Sequence, residues 1–209
     1  MTKVAIALVA VVLLISGCGG LGFLGGGSKA RDLFNGENLD GWVIENDGQF
    51  SVRDGLLILD RGTGWLRSEE AFSDFCLEMD FRFLEEKANS GIFVRTKSTS
   101  KEEGGWPDNG YQIQCMDIID GTYPLATMIP YGAPEFKHES DLAALAKAYR
   151  KTGEWNHYKI TCEGETLRVE LNGVLITTAT DIKNLSGHVG IQGENGQLEF
   201  RNICITELD

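Results

Sequence analysis

Positive charge is in short supply in this chain. Over 209 residues, 19 Lys and Arg stand against 31 Asp and Glu, a formal net charge of −12. Such a surface repels nucleic acid and anionic lipid headgroups, which argues against either as a binding partner. Histidine is scarcer still: His138, His157 and His188 are scattered without ligand spacing, so no zinc site is expected. Long apolar runs are nearly absent. The longest, Val4 to Ile15, stops well short of the ~20 residues that a membrane-spanning helix needs. No internal repeat is visible.

What that short run does carry is the layout of an export signal. Lys3 supplies a basic start, the apolar stretch follows, and the segment ends in Ile15-Ser16-Gly17-Cys18. Small residues before a cysteine form a lipobox, in which the thiol takes a diacylglyceryl group before the leader is cut away. Residues 1–18 are therefore expected to be a lipoprotein signal peptide with Cys18 as the lipidated residue. The Gly-rich residues 19–30 then form a flexible tether. This order places residues 31–209 as one exported domain, held to a bacterial membrane by its lipid anchor alone, periplasmic or on the outer surface. About 180 residues suffice for a single domain with a real core. Four cysteines remain after Cys18, namely Cys76, Cys115, Cys162 and Cys204. In an oxidising compartment they permit two disulfides in three connectivities, but all lie in apolar strand-like segments, where buried free thiols fit equally well.

Alternation of period two runs through the domain. From Phe75 to Phe83, the residues Phe75, Leu77, Met79, Phe81 and Phe83 point one way and Glu78, Asp80 and Arg82 the other, the pattern of a half-buried strand. Tyr158 to Glu163, Thr166 to Leu171 and Val174 to Thr178 read as a meander, its second turn made by Asn172-Gly173, where both positions tolerate positive φ. Strands also fit His188 to Gln192 and Gln197 to Leu208. Only Ser140 to Arg150 reads as a helix, with Leu142, Leu145, Ala146 and Tyr149 on one stripe and Ser140 or Asp141 as cap. Short strands joined by Gly and Asn turns, with one helix, predict an all-β antiparallel sandwich of jelly-roll type. Its core is expected to include Phe75, Leu77, Met79, Phe81, Ile113, Ile160, Val169, Leu171, Ile191 and Phe200.

The polar sides of these strands are the first place to look for chemistry. After Gly91, alternation sets Phe93 and Arg95 against Ile92 and Val94; after Tyr111, it sets Gln112, Gln114 and Met116 against Ile113, Cys115 and Asp117. Were these faces to share a sheet with Glu78, Asp80 and Arg82, they would line a surface of Arg, amides and carboxylates. Fixed donors and acceptors of that kind match sugar hydroxyls, and Trp106, in a polar Gly-rich loop, offers a stacking platform. The plain alternative is the solvated face that any antiparallel sheet presents. Trp42 and Trp155 are expected in the core, and His157 at the surface or the cleft edge.

Three blocks stand out: Asn89-Ser90-Gly91-Ile92-Phe93-Val94-Arg95, Gly110-Tyr111-Gln112-Ile113-Gln114-Cys115-Met116-Asp117, and Gly153-Glu154-Trp155-Asn156. With Leu33-Phe34-Asn35-Gly36, Gly41-Trp42, Leu171-Asn172-Gly173 and Phe200-Arg201-Asn202-Ile203, their order and spacing resemble the bacterial 3-keto-disaccharide hydrolase family. The resemblance implies a concanavalin-like lectin and glucanase sandwich acting on sugars oxidised at C3. In that chemistry a base removes the acidic C2 proton, the glycosidic bond leaves by β-elimination, and water adds to the resulting 2-hydroxyglucal. Arg95 and Asp117 stand at positions the resemblance marks, Arg95 to hold the enolate and Asp117 to carry a proton; Glu194, a titratable group in the segment where the family has His, is the other expected proton carrier, and these three are the expected catalytic residues. Asn89, Ser90, Gln112, Gln114, Trp106 and Gln192 are the expected substrate-binding residues. No cofactor is expected, although a divalent cation stays open as the group that holds the enolate. Family members commonly carry Glu where this chain has Gln112, and His where it reads Gly193-Glu194-Asn195-Gly196. An amide cannot take a proton as a carboxylate does, so the second reading is a lectin-like module that binds a glycoside without cleaving it. A retaining glucanase is disfavoured, because Glu-x-Asp-x-x-Glu is absent around Glu78 and Asp80.

Overall fold

The computed structural model describes residues 29–97 and 105–208. The signal peptide expected over residues 1–18, its Cys18 and the tether up to residue 28 lie outside the described residues. The first strands are β1 (Arg31–Asp32), β2 (Trp42–Asn46), β3 (Gln49–Arg53), β4 (Leu56–Arg61) and β5 (Gly64–Phe72). Then come β6 (Phe75–Phe83), β7 (Asn89–Thr96), β8 (Gly110–Met116), β9 (Met128–Tyr131) and β10 (Lys137–Ser140). After the helix α1 (Leu142–Ala148) follow β11 (Asn156–Glu163), β12 (Thr166–Leu171), β13 (Val174–Thr180), β14 (Gly187–Gly193) and β15 (Leu198–Glu207). They form two antiparallel sheets. The larger has nine strands in the order β10-β13-β12-β11-β6-β15-β4-β3, with β1 on β15; the smaller has six, β2-β5-β14-β7-β8-β9.

The period-two pattern explains why the two sheets stack. Along β6 every odd residue from Phe75 to Phe83 is buried while Cys76, Glu78, Asp80 and Arg82 keep partial exposure. All ten residues expected in the core lie in one buried apolar cluster between the sheets. Phe81 packs against Phe83 at 5.5 Å and Tyr158 at 4.6 Å between ring centroids, so removing its ring would open a cavity that neighbouring strands cannot close. The Asn172-Gly173 hairpin forms as expected, with φ of 52° and 79°; Asp54-Gly55, at 53° and 78°, makes the same turn between β3 and β4.

Two expectations need correction, and two alternatives left open by the sequence are decided. The helix is shorter than Ser140 to Arg150, because Ser140 pairs with Thr177 as the last residue of β10 and Tyr149 already has extended backbone. Asp141 is the cap, accepting from the Ala144 amide at 2.9 Å, and Leu142 stays exposed while Leu145 and Ala148 are buried. Trp155 is not a core residue: its half-buried ring lies between the guanidinium groups of Arg82 and Arg201, at 4.7 and 4.0 Å from the centroid. Trp42 is buried as expected, its indole donating to the Leu33 carbonyl. Cys76, Cys115 and Cys162 are free thiols, which rules out a two-disulfide framework among the four domain cysteines. Finally, β6 belongs to the nine-stranded sheet while β7 and β8 belong to the six-stranded one. Glu78, Asp80 and Arg82 therefore share no surface with Gln112 and Gln114.

Candidate functional site

The outer face of the six-stranded sheet is where neutral polar side chains collect. Its floor is aromatic: Trp65 of β5 meets Phe93 of β7 edge to face at 5.6 Å, and both are fully buried. Gly190 of β14 leaves the room, since a Cβ there would stand 2.7 Å from the Trp65 ring. Over this floor Tyr131, at the end of β9, lays its ring edge-on to Phe93 at 5.3 Å and to Trp106 at 6.1 Å. Trp106 is half-buried and anchored rather than free, because its indole N–H donates to the Gly193 carbonyl at 2.9 Å.

Three glutamines from three sequence regions meet here through strand pairing. Gln112 and Gln114 share the outer parity of β8, and Gln192 arrives on β14. Gln112 Nε2 donates to Gln114 Oε1 and to Gln192 Oε1, each at 3.0 Å, and Gln192 Nε2 donates to the Tyr131 hydroxyl at 3.2 Å. Gly91 makes this possible: a Cβ at that position would stand 1.9 Å from Gln112 Nε2. The network leaves groups with unused capacity. Gln112 Oε1 is buried without a hydrogen-bond partner, as is Asn89 Oδ1 at the rim, and Gln114 Nε2 has the Met116 sulfur at 3.7 Å as its acceptor. A buried unpaired acceptor costs about 1–3 kcal/mol, a cost that a hydroxyl donor from a ligand would relieve.

Glu194 follows β14 at the edge of this network and is half-buried. Burial pushes its carboxyl pKa up, and a hydrogen bond from the Asn89 side chain only partly opposes this. The Tyr131 hydroxyl is also pushed up, by burial first and further by the nearby Glu194 charge, against the hydrogen bond from Gln192. Asn89 and Asn195 exchange backbone hydrogen bonds at 2.6 and 3.1 Å, which fixes the Glu194 segment against the start of β7. Among the described residues, no group of three His, Cys, Asp or Glu side chains is placed to hold a metal ion.

Three residues expected at the site lie elsewhere. Arg95 stands at a bulge with φ of 47°: Gly190 pairs with Phe93 and His188 with Thr96, so Val94 and Arg95 together oppose Val189. The extra residue turns the Arg95 side chain away from Gln112. It is wholly buried, donating to the carbonyls of Ser73, Gly164 and Asn184 at 2.9, 2.6 and 3.4 Å and to the Asp74 carboxylate at 2.7 Å. It thus ties the β5–β6 turn to the β11–β12 turn. Asp117 accepts from the Tyr149 hydroxyl, from Thr152 Oγ1 at 2.6 Å and from the Lys87 amide at 3.3 Å, so its carboxylate joins the end of β8 to the chain after α1. Ser90 takes the core-facing parity, and its hydroxyl donates to the Gln192 carbonyl at 2.7 Å. His157 sits on the far sheet, within 2.9 Å of Asp80. Asn89, Gln112, Gln114, Trp106, Gln192 and Glu194 are brought together. Tyr131, Trp65 and Phe93 complete the group; alternation sets Phe93 on this face without giving it a role, while the sequence reading missed Tyr131 and Trp65, and Pro130 beside Tyr131 hides an edge strand.

The 3-keto-alpha-glucoside-1,2-lyase-like domain matches residues 29–206. The chain belongs to that family. Among solved structures, a candidate glycosyl hydrolase from Parabacteroides distasonis superposes with a TM-score of 0.66 at 26% identity, covering 86% of this chain and 100% of the other. The carbohydrate-binding module CBM66 from Bacillus subtilis (TM-score 0.55, 18% identity, 80% and 96% covered) shares the fold. So does a Bacillus licheniformis β-glucanase (0.53, 14% identity, 88% and 99% covered). No curated protein matches the chain. The lyase-like domain is thus an all-β sandwich of the lectin and glucanase kind.

Proposed function

We propose that this domain binds a 3-keto-glycoside on the outer face of its six-stranded sheet and cleaves the glycosidic bond by C2 deprotonation and β-elimination, with Glu194 as the base. The observation that carries the reading is the setting of Glu194: a half-buried carboxylate of raised pKa beside a network of neutral amides. A base whose pKa is moved up towards the working pH removes a carbon acid's proton more readily than an ordinary carboxylate. The ketone at C3 makes the C2 proton acidic, and the negative charge that develops on its oxygen needs donors. Gln114 Nε2, with only a sulfur acceptor, is available for that role. The buried Gln112 Oε1 would take a sugar hydroxyl. We propose further that Cys18 is lipidated and the domain exported, on the order of basic start, apolar run and lipobox. Mass analysis of the membrane fraction that found an unmodified Met1 or Cys18 would refute that part.

A specific observation favours a second reading. Arg95 and Asp117 are committed to structural contacts, and Gln112 is an amide, which leaves a binding surface with little catalytic equipment. In that reading the domain is a lectin-like module. The soluble domain, residues 29–209, should be incubated with a 3-keto-disaccharide and with its unoxidised parent while heat of binding and product are followed. Cleavage of the keto-sugar alone supports the lyase; binding of either sugar without product supports the module. A domain that neither binds nor cleaves refutes both.

A further inference from the structure

The elimination needs a second proton carrier. As the C1–O bond breaks, the departing sugar leaves as an alkoxide, a poor leaving group unless a proton reaches it in the same step. Asp117, the residue the family resemblance suggested, is engaged by Tyr149, Thr152 and the Lys87 amide, on the core-facing parity of β8. Tyr131 is placed where Asp117 is not. Its ring is held on two sides, by Phe93 and Trp106, and its hydroxyl oxygen accepts from Gln192 Nε2, which fixes the oxygen while leaving the O–H proton without an acceptor among the described residues.

We infer that Tyr131 donates the proton to the departing glycosidic oxygen, paired with Glu194 across the amide network; the inference rests on the lyase reading above. Glu194 takes the C2 proton, the electron pair forms the C1=C2 bond, and the C1–O bond breaks. The leaving oxygen takes the phenolic proton and departs as an alcohol, and Tyr131 is left as a phenolate. Glu194, now protonated, returns its proton to Tyr131 directly or through water, so the site regains its starting state and no oxidant or metal is consumed. Electrostatics favour this order. The Glu194 charge raises the Tyr131 hydroxyl in the resting site, and capture of the C2 proton removes that charge at the moment the hydroxyl must give up its own.

Leaving-group dependence separates proton donation from mere packing. The experiment compares wild type and Tyr131→Phe on a 3-keto-disaccharide and on 4-nitrophenyl 3-keto-glucoside, whose phenolate departs without a proton. Phe keeps the ring contacts with Phe93 and Trp106. The expected result is a fall in kcat of ~10²-fold on the disaccharide and of less than about threefold on the aryl substrate. An equal fall on both substrates, or none on the disaccharide, would overturn the inference while leaving the lyase reading intact. A wild-type domain inert towards both substrates would remove the lyase reading and this inference with it.

Discussion

On the outside of the nine-stranded sheet, Glu78, Asp80, Arg82, His157, Glu199 and Arg201 form ion pairs that water still reaches, and Trp155 lies between two guanidinium groups. On the outside of the six-stranded sheet, the corresponding positions carry Trp65, Phe93, Gln112, Gln114 and Gln192, and all five are buried. Both faces obey the same alternation. They differ in what covers them: ionised side chains need water or a partner ion, so the first face stays open, whereas amides need only hydrogen-bond partners, so the second can be roofed by Tyr131 and Trp106. The amide patch itself is neutral, with charge only at its margins in Glu194 and the Arg67–Glu45 pair, so it can be covered and still offer donors and acceptors to a neutral sugar.

The largest effect should come from the layer beneath both faces. Phe81→Ala is expected to cost about 3–5 kcal/mol in chemical denaturation, since the ring is fully buried between the sheets. Next is Arg95→Met. It removes a buried guanidinium that satisfies three carbonyls and a carboxylate, and a loss of about 2–3 kcal/mol is expected. Sugar affinity should not change, and a selective loss of affinity or turnover at full stability would return Arg95 to the site.

Gly91→Ala sharpens the contrast between faces. Its Cβ would collide with the buried Gln112 side chain from Nε2 to Cγ, so overpacking should cost about 1–3 kcal/mol while the amide network rearranges and sugar affinity drops. Calorimetric titration of the variant checks this. Trp106→Ala should weaken sugar binding by about 1 kcal/mol through lost stacking.

The smallest effect belongs to the open face. Burial raises Asp80, but hydrogen bonds from His157, Asn202 and Arg201 outweigh it and hold the carboxyl below its ordinary value. The bond to Asp80 raises His157 against the effect of its own burial. The lowered Asp80 contributes stability that is present above pH ~4 and lost as pH falls further. The raised His157 contributes stability that is present below pH ~6.5 and lost as pH rises through its folded value. Both contributions overlap between these limits. Asp80→Asn should flatten this part of the stability profile by less than about 1 kcal/mol, because the pair is partly exposed.

The fold was legible in the sequence because alternation is a local signal that each strand carries alone. Phe75 to Phe83 and the Asn172-Gly173 hairpin needed no tertiary information. The site was legible only where parity held. Gln112 and Gln114 follow it, and Gln192 joins them through pairing of β14 with β7. Arg95 fails because one extra residue at a bulge reverses its direction, and no residue nearby announces that bulge. Asp117 keeps its parity but is captured by Tyr149 and Thr152, more than thirty positions away. Tyr131 was hidden by Pro130, which reads as a strand breaker although it sits exposed on an edge strand.

The central claim is that Glu194 removes the C2 proton of a keto-sugar on the amide face. Its most direct test is exchange in heavy water: the domain is incubated with a 3-keto-disaccharide in D2O and deuterium at C2 is followed by mass spectrometry beside cleavage. Wild type should incorporate deuterium or cleave, with a rate that rises with pH through a value above the ordinary carboxylate pKa. Glu194→Gln should slow both by ~10²-fold or more while binding the sugar nearly as well. Undiminished exchange and cleavage in Glu194→Gln would contradict the account.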